Sequence, residues 1–511
     1  MIIEKEIRHF HLFCGLGGGA KGFNQGQARV GNLKAKFRCV GGIDVDAAAI
    51  RDFERLTGAR GTVLDLFDRS QYIDFHGMEP PPGWREATPA DIRAAAGDES
   101  VGVLFLSSPC KGFSGLLSET KSKTRRYQAL NRLTLRGMWL ALEAFADDPV
   151  PLYVFENVPL ILSRGRQLLD QITALLRAYG YAVAETTHDC GELGGLAQSR
   201  KRFLLVARHQ AKVPPFLYEP ERRRLQSVGS VLDRMPLPGD PAGGPMHRVP
   251  ALQWKTWVRL AFVEAGGDWR TLNRLAVENG VLRDYLIAPQ HGDEALTGTG
   301  TYCVIDPRFD QSARWRDGQA YGVRRWGEST GAIAGQQSPG QGAYAVADPR
   351  IAGIRLNNVF RIVRWDQHAQ AVTAGGHPTA GGQAVADPRP PALPRHPTTD
   401  AGLPDERSKL VTAIRARDGT WHRPFTTLEL AALQSLVDPE EQLELDGLSD
   451  SAWRERIGNA VPPAAAEAIA GVMGTTLLLA WSEETFVLSS TPIWVRPVAV
   501  ALTLPDQAAE H

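Results

Sequence analysis

A thiol, a carboxylate and two guanidinium groups occur in this sequence where apolar runs meet loops. Val101-Gly-Val-Leu-Phe-Leu106 has the length and residue types of a buried strand, and Ser107-Ser-Pro-Cys-Lys-Gly-Phe-Ser-Gly115 follows it. Gly112 and Gly115 let the loop turn tightly, so Cys110 stands at the carboxyl end of a strand. That is where ligands bind in open α/β sheets. A thiol there acts as a nucleophile if its pKa is lowered or it is held against an electrophile. A lone cysteine is more often buried and inert. Pro151-Leu-Tyr-Val-Phe155 is a second buried strand, ending at Glu156-Asn-Val-Pro159. Gln198-Ser-Arg-Lys-Arg202 precedes the strand Phe203–Ala207, and Arg200 and Arg202, two apart, face one side of an extended chain.

These groups need a scaffold, and the first 210 residues alternate strand and helix signals. His9-Phe-His-Leu-Phe13 predicts a short strand, Cys14-Gly-Leu-Gly-Gly-Gly-Ala20 a glycine loop, and Lys21-Gly-Phe23 the opening of a helix. Such a loop lets backbone approach a ligand closely, although a plain glycine turn reads the same way, and no GK[ST] makes it a P-loop. Phe37–Ile43 predicts the next strand, ending at Asp44, an acid placed as in a βαβ unit that holds ribose hydroxyls. Asp46 then opens a helix over Ala47–Phe53, and Thr62-Val-Leu64 with Asp65 predicts a third strand end. Thr88 before Pro89 is a helix start. The basic run Lys121, Lys123, Arg125, Arg126, Arg132 and Arg136 reads as a solvated helix face, or as a phosphate-steering surface beside Cys110. Leu135–Phe145 and Gln167–Tyr179 predict further helices.

With 511 residues the chain exceeds one typical core, so two or more domains are expected. Lys plus Arg and Asp plus Glu are 57 each, so global charge does not point to nucleic acid and any such site must rest on local patches. The five cysteines form no CxxC and no zinc spacing, which favours a reducing compartment and no structural metal. No run approaches 18 uninterrupted apolar residues, and the opening Met-Ile-Ile-Glu-Lys-Glu is unlike a signal peptide, so a cytoplasmic, membrane-free protein is expected.

Taken in order, the motifs resemble those of the cytosine-5 DNA methyltransferases, over roughly residues 1–210 and 415–480. Phe13-Cys-Gly-Leu-Gly-Gly-Gly resembles the cofactor loop, Ser108-Pro-Cys-Lys-Gly-Phe-Ser114 the nucleophile loop, Glu156-Asn-Val158 the acidic motif and Gln198-Ser-Arg-Lys-Arg202 the paired-arginine motif. Arg456-Ile-Gly-Asn-Ala-Val-Pro-Pro463 resembles the last motif, and Arg423–Gln434 the helix before it. The resemblance implies a Rossmann-like α/β fold for S-adenosylmethionine: a mixed seven-stranded sheet with a loop- and β-rich target-recognition domain inserted. It implies that Cys110 attacks cytosine C6, that Glu156 holds N3 and the exocyclic amine, and that Arg200 and Arg202 hold the O2 side or a phosphate, on a flipped-out base. By the same resemblance Phe13, Gly15, Gly17, Asp44, Val45, Asp65, Pro109 and Asn459 bind S-adenosyl-L-methionine, and Ser114, Asn157 and Gln198 contact the substrate. No metal is implied. Lys111 stands where the family usually has Gln, and His9-Phe-His11 replaces a commoner acidic start. The loops look bacterial or prophage-like. The implied partner is double-stranded DNA, with a restriction endonuclease or an orphan role equally open and a monomer expected. An RNA cytosine methyltransferase and a catalytically silent DNA-binding relative are the alternatives.

The expected division is a catalytic domain over 1–220, a target-recognition domain over 221–414, a return to the catalytic domain over 415–480 and a tail over 481–511. Within the second half, Tyr321-Gly-Val-Arg-Arg-Trp326 aligns with Phe360-Arg-Ile-Val-Arg-Trp365, and Ala345-Val-Ala-Asp-Pro-Arg350 with Ala384-Val-Ala-Asp-Pro-Arg389, both 39 residues apart. Val304-Ile-Asp-Pro-Arg308 is a partial third copy. The repeat reads either as a duplicated β-rich structural unit or as DNA-tracking surfaces through Arg325, Arg364 and Trp365.

Overall fold

The computed structural model describes residues 2–109, 113, 124–215, 220–263 and 420–482, with shorter stretches between 265 and 416. It divides into two compact units. One comprises Met1–Leu225, Leu445–Gly447 and the segment from Asn459; the other comprises Gln226–Glu444 and Leu448–Gly458. The segment Trp421–Leu433 lies in the second unit, while Leu445–Gly447 and the stretch from Asn459 lie in the first.

The first unit alternates strand and helix: β1 (Ile3–Leu12), α1 (Gly18–Asn24), β2 (Arg29–Val30), β3 (Leu33–Asp44), α2 (Ala47–Thr57), β4 (Gly61–Val63), α3 (Arg69–His76) and α4 (Pro89–Ala95). Then follow β5 (Val103–Leu106), α5 (Arg125–Ala144), β6 (Leu152–Asn157), α6 (Ile161–Arg164), α7 (Arg166–Ala178), β7 (Tyr181–Asp189), α8 (Cys190–Gly194) and β8 (Lys201–His209). These strands form an eight-stranded sheet in the order β2-β3-β1-β5-β6-β8-β7, with β4 beside β3. The seven strands expected become eight through the two-residue β2, which forms a short hairpin with β3.

Strands β3, β1, β5 and β6 are mutually parallel, and β8 runs antiparallel to both β6 and β7. Strand β1 is flanked by β3 on one side and β5 on the other. The connections leave in opposite directions there, which opens a crevice at the carboxyl ends of β1 and β5.

Both sheet faces are covered, so the central strands read as continuous apolar runs. Phe10, Leu12, Leu104, Leu106 and Phe155 face one core. Ile7, Val103, Phe105 and Val154 face the other, together with Ala465, Ala466, Ile469 and Met473 of the helix Pro463–Ser482. That helix is apolar nearly all round because much of its surface is enclosed. It meets α1 at Gly22, where a Cβ would lie 2.7 Å from the Cβ of Ala466.

Local signals start and stop these helices. Asp46 accepts from Ala48 N at 2.9 Å to cap α2, Gly58 ends it at φ 67°, and Thr88 and Asp91 form the capping box of α4. Helix α5 begins ten residues before the expected Leu135, since Ala129, Leu130 and Leu133 continue its buried stripe through the basic run.

The second unit contains a six-stranded sheet ordered Leu286–Pro289, Thr301–Ile305, Ala413–Arg415, Trp421–Pro424, Ala384–Asp387, Ile362–Arg364. The internal repeat is visible in strand pairing. Val323–Arg325 runs parallel to Ala345–Ala347, and Ile362–Arg364 runs parallel to Ala384–Ala386 in the corresponding register. Each copy thus builds one parallel strand pair. In the second copy, Arg389 stacks over the Trp365 ring at 4.8 Å, and Arg364 pairs with Asp366 at 3.1 Å. Residues 483–511 of the expected tail lie outside the described residues.

Candidate active site

The glycine loop is tied to two strands. Cys14 N donates to Ile43 O at 3.0 Å, and Gly15 N donates to Asp44 Oδ2 at 2.9 Å. Ser107 N donates to Leu12 O at 3.2 Å, which joins the exit of β5 to the exit of β1. Phe13 adopts φ 56°, a strained conformation for a bulky residue, and its ring fills the place a side chain would take at Gly137 of α5. Gly15 (φ 51°) and Gly17 (φ 93°) are also left-handed; a Cβ at Gly17 would strike Phe53, whereas at Gly15 it would meet open space.

One acid is tied to this loop, and a second, Asp65, follows β4. The Asp44 carboxylate accepts from Gly15 N and, at 3.0 Å, from Asp46 N, and burial raises its pKa against those bonds. Val45 beside it is 64% exposed. Asp65 accepts from Phe67 N at 2.9 Å and from Trp84 Nε1 at 3.1 Å. An anchored carboxylate bonded to the loop, an exposed apolar side chain next to it in sequence and a glycine with free space fit an adenosine-bearing cofactor. Asn459 is exposed at the end of the helix Asp450–Asn459, and Pro109 is half-buried after β5.

Beneath the loop lies a network the sequence reading did not anticipate. Asn24 Oδ1 accepts from Cys39 N at 2.9 Å, so His9 Nε2, 3.0 Å from the same oxygen, must be the protonated nitrogen. His9 Nδ1 is then the acceptor for His11 Nε2 at 2.9 Å. Burial pushes His9 down to about 3, against the Asn24 bond, and also lowers His11. Both rings are therefore neutral. The alternation of His9 and His11 on one strand face was the available signal.

The carboxyl end of β6 and the start of β8 bring two of the expected groups, Glu156 and Arg202, together. Leu106 pairs with Phe155, so Ser107 and Glu156 leave the parallel register side by side. Asn157 pairs with Phe203, which places Arg202 just beyond the end of β6. Arg202 Nε reaches Glu156 Oε1 at 2.8 Å, with the two side chains only 14% and 11% exposed. Arg200 and Gln198 are buried; Arg200 N donates to Asp189 Oδ1 at 2.7 Å.

Ser108 is held from two sides: Thr134 Oγ1 lies 2.9 Å from Ser108 Oγ, and Asn157 Nδ2 donates to the same oxygen at 3.4 Å. Thr134 sits in the middle of α5, where nothing in the sequence marked it. Cys110 and Ser114 lie outside the described residues, as do Lys121 and Lys123. Burial raises the pKa of Cys14, and pushes Cys39 up to about 12 and Cys190 up to about 11, which disfavours the thiolate at each. Among the described members of the basic run, Arg125, Arg126 and Arg132 are exposed, as on a solvated helix face. Arg132 pairs with Asp74, Arg136 with Glu86 at 3.0 Å, and Arg126 stacks over Phe75, so these cations are spent within the protein.

Residues 7–238 match the family C-5 cytosine-specific DNA methylase. Among curated proteins no match was found. Similar solved structures include the Entamoeba histolytica methyltransferase EhMeth, at 12% identity and TM-score 0.45, covering 92% of this chain and 98% of that one. A putative DNA modification methyltransferase encoded within a prophage of E. coli aligns at 13% identity and TM-score 0.45, covering 92% and 99%. The S. pombe Dnmt2 methyltransferase aligns at 14% identity and TM-score 0.42, covering 93% and 99%.

Proposed function

Because residues 7–238 match the C-5 cytosine-specific DNA methylase family, we propose that the chain methylates C5 of a flipped-out cytosine in double-stranded DNA, with Cys110 as the covalent nucleophile. S-adenosylmethionine, when bound, supplies an electrophilic methyl group. Asp44 would accept from ribose hydroxyls, Val45 and Asp65 would contact the adenine, and Gly15 would leave room for the bound molecule. Phe13, Gly17, Pro109 and Asn459 would complete that pocket.

Cytosine C5 is a poor nucleophile on its own. Bond formation between the Cys110 sulfur and C6 moves electron density onto C5. Glu156 would hold the N3 edge and share a proton there, and Arg202 would keep that carboxylate oriented. Arg200, Asn157, Gln198 and Ser114 would hold the base and its backbone. After transfer, loss of the C5 proton expels the Cys110 thiolate and restores the aromatic ring.

The observation that supports this reading most directly is the Glu156–Arg202 pair at the carboxyl edge of the sheet, one strand from Ser108-Pro109. Bisulfite sequencing of DNA from a methylation-free bacterium expressing the wild type or Cys110→Ala tests it. Protected cytosines in one sequence context, absent with the variant, are expected. No protection from a folded wild type, with methyl label appearing in RNA instead, would sink the DNA reading.

A further inference from the structure

Most surface arginines of the first unit are neutralised. Arg8, Arg38, Arg51, Arg69, Arg85 and Arg93 each hold a carboxylate within 3.2 Å. Arg222, Arg223 and Arg224 differ. All three are exposed and consecutive, and none pairs with a carboxylate among the described residues. Even with the exposed Glu221 beside them, they leave a local excess of positive charge in a chain of zero formal net charge.

The segment is also fixed in position. Arg223 N donates to Glu192 O of α8 at 2.7 Å, and the Arg223 stem lies against Gly195, where a Cβ would meet its Cδ at 3.4 Å. Leu225 occupies the space left by the missing side chain of Gly191. The same short helix holds the paired-arginine segment, since Cys190 N donates to Arg200 O at 2.8 Å. Helix α8 therefore anchors two basic segments, Arg200-Lys-Arg202 and Arg222-Arg-Arg224. Three adjacent cations repel one another, and here the segment that carries them is tied down at Arg223.

We infer that Arg222, Arg223 and Arg224 form a pre-positioned strip that binds the phosphate backbone of duplex DNA, beside the arginines of the active site. This rests on the DNA reading above and adds its non-specific contact surface. Phosphate neutralisation releases counterions, so each contact steepens the fall of affinity with salt by about 0.9 in logarithmic slope.

The test measures binding of the full chain to a fluorescent duplex across a salt series. The variants are Arg222→Gln/Arg223→Gln/Arg224→Gln and the matching triple Lys replacement, with melting temperature as the folding control. The Gln triple is expected to lower the salt slope by roughly 2 to 3, and the Lys triple to keep it. An unchanged slope in the Gln triple, or equal losses in both triples, overturns the strip. A Gln triple that loses affinity for tRNA but not for the duplex assigns the strip to RNA and overturns it as stated. If the wild type neither binds nor methylates the duplex, the DNA reading fails together with the strip. If the wild type methylates it and the slope does not move, the strip alone fails.

Discussion

Glu156 and Arg202 approach to 2.8 Å from neighbouring antiparallel strands, each nearly enclosed. Enclosure strengthens such a pair and makes the loss of either partner costly, because the other is left desolvated and uncompensated. It also gives the carboxylate a fixed direction.

Arg202→Ala and Glu156→Gln are each expected to slow methyl transfer about 100-fold or more, the scale of removing one pre-organised electrostatic group. Single-turnover transfer of labelled methyl to duplex DNA measures this. The double variant should be little worse than either single one, since the two act as a unit. Wild-type rates from both variants would remove the pair from the chemistry.

Thr134→Val removes one of the two groups that hold Ser108, two residues before Cys110. About 1 kcal/mol of stability should be lost, the net value of one hydrogen bond. The turnover rate should fall while the KM for DNA stays the same, and Thr134→Ser should restore it. Loss of stability without a change in rate would make Thr134 purely structural.

The neutral His9–His11 pair predicts acid sensitivity. Both folded-state pKa values lie below the unfolded 6.5, with His9 at about 3. The unfolded chain therefore binds more protons in that window, and stability falls as pH drops from 6.5 toward 3, by about 1.4 kcal/mol per pH unit for each histidine. Urea unfolding at several pH values should show this slope, flat above about pH 7.5, and His9→Gln should reduce it. A slope that survives replacement of both histidines would place the acid sensitivity elsewhere.

In the second unit, Arg423 is fully buried and donates to Glu429 at 2.8 and 2.9 Å and to Asp387 at 2.7 and 3.0 Å. Burial alone would raise Glu429, but Arg423 holds it down to about 2. Asp387→Ala should cost about 3–5 kcal/mol, since it strands half of the charge on a buried guanidinium. Denaturant unfolding followed by Trp fluorescence reports it. A loss below about 1 kcal/mol would show that Glu429 alone suffices to neutralise Arg423.

The sheet was legible because its strands are apolar runs ended by Gly, Pro or acids, as at Leu106, Asp44 and Glu156. Strand ends were harder: β1 extends back to Ile3 through Glu4-Lys5-Glu6, whose polar side chains are exposed and break the apolar pattern. The roles of Thr134 and Trp84 had no local signal, since each depends on a partner far away in sequence. The basic run was read by charge alone, and only tertiary packing shows that Arg132 pairs with Asp74 and Arg136 with Glu86. The internal repeat was visible as a 39-residue echo, but that each copy forms a parallel pair came from strand register.

The helix Pro463–Ser482 sets a timetable for the ribosome. Phe23, Phe37 and Phe105 share their core with Ala466, Ile469 and Met473, which are made after roughly 240 further residues have followed Leu225. At about 5–20 residues per second the nascent first half waits on the order of 10 to 50 s with that face uncovered. Chain synthesis that stalls before residue 463 leaves a sticky half-sheet, so this enzyme's yield in a cell depends on uninterrupted translation or on chaperones that shield the face until its last helix arrives.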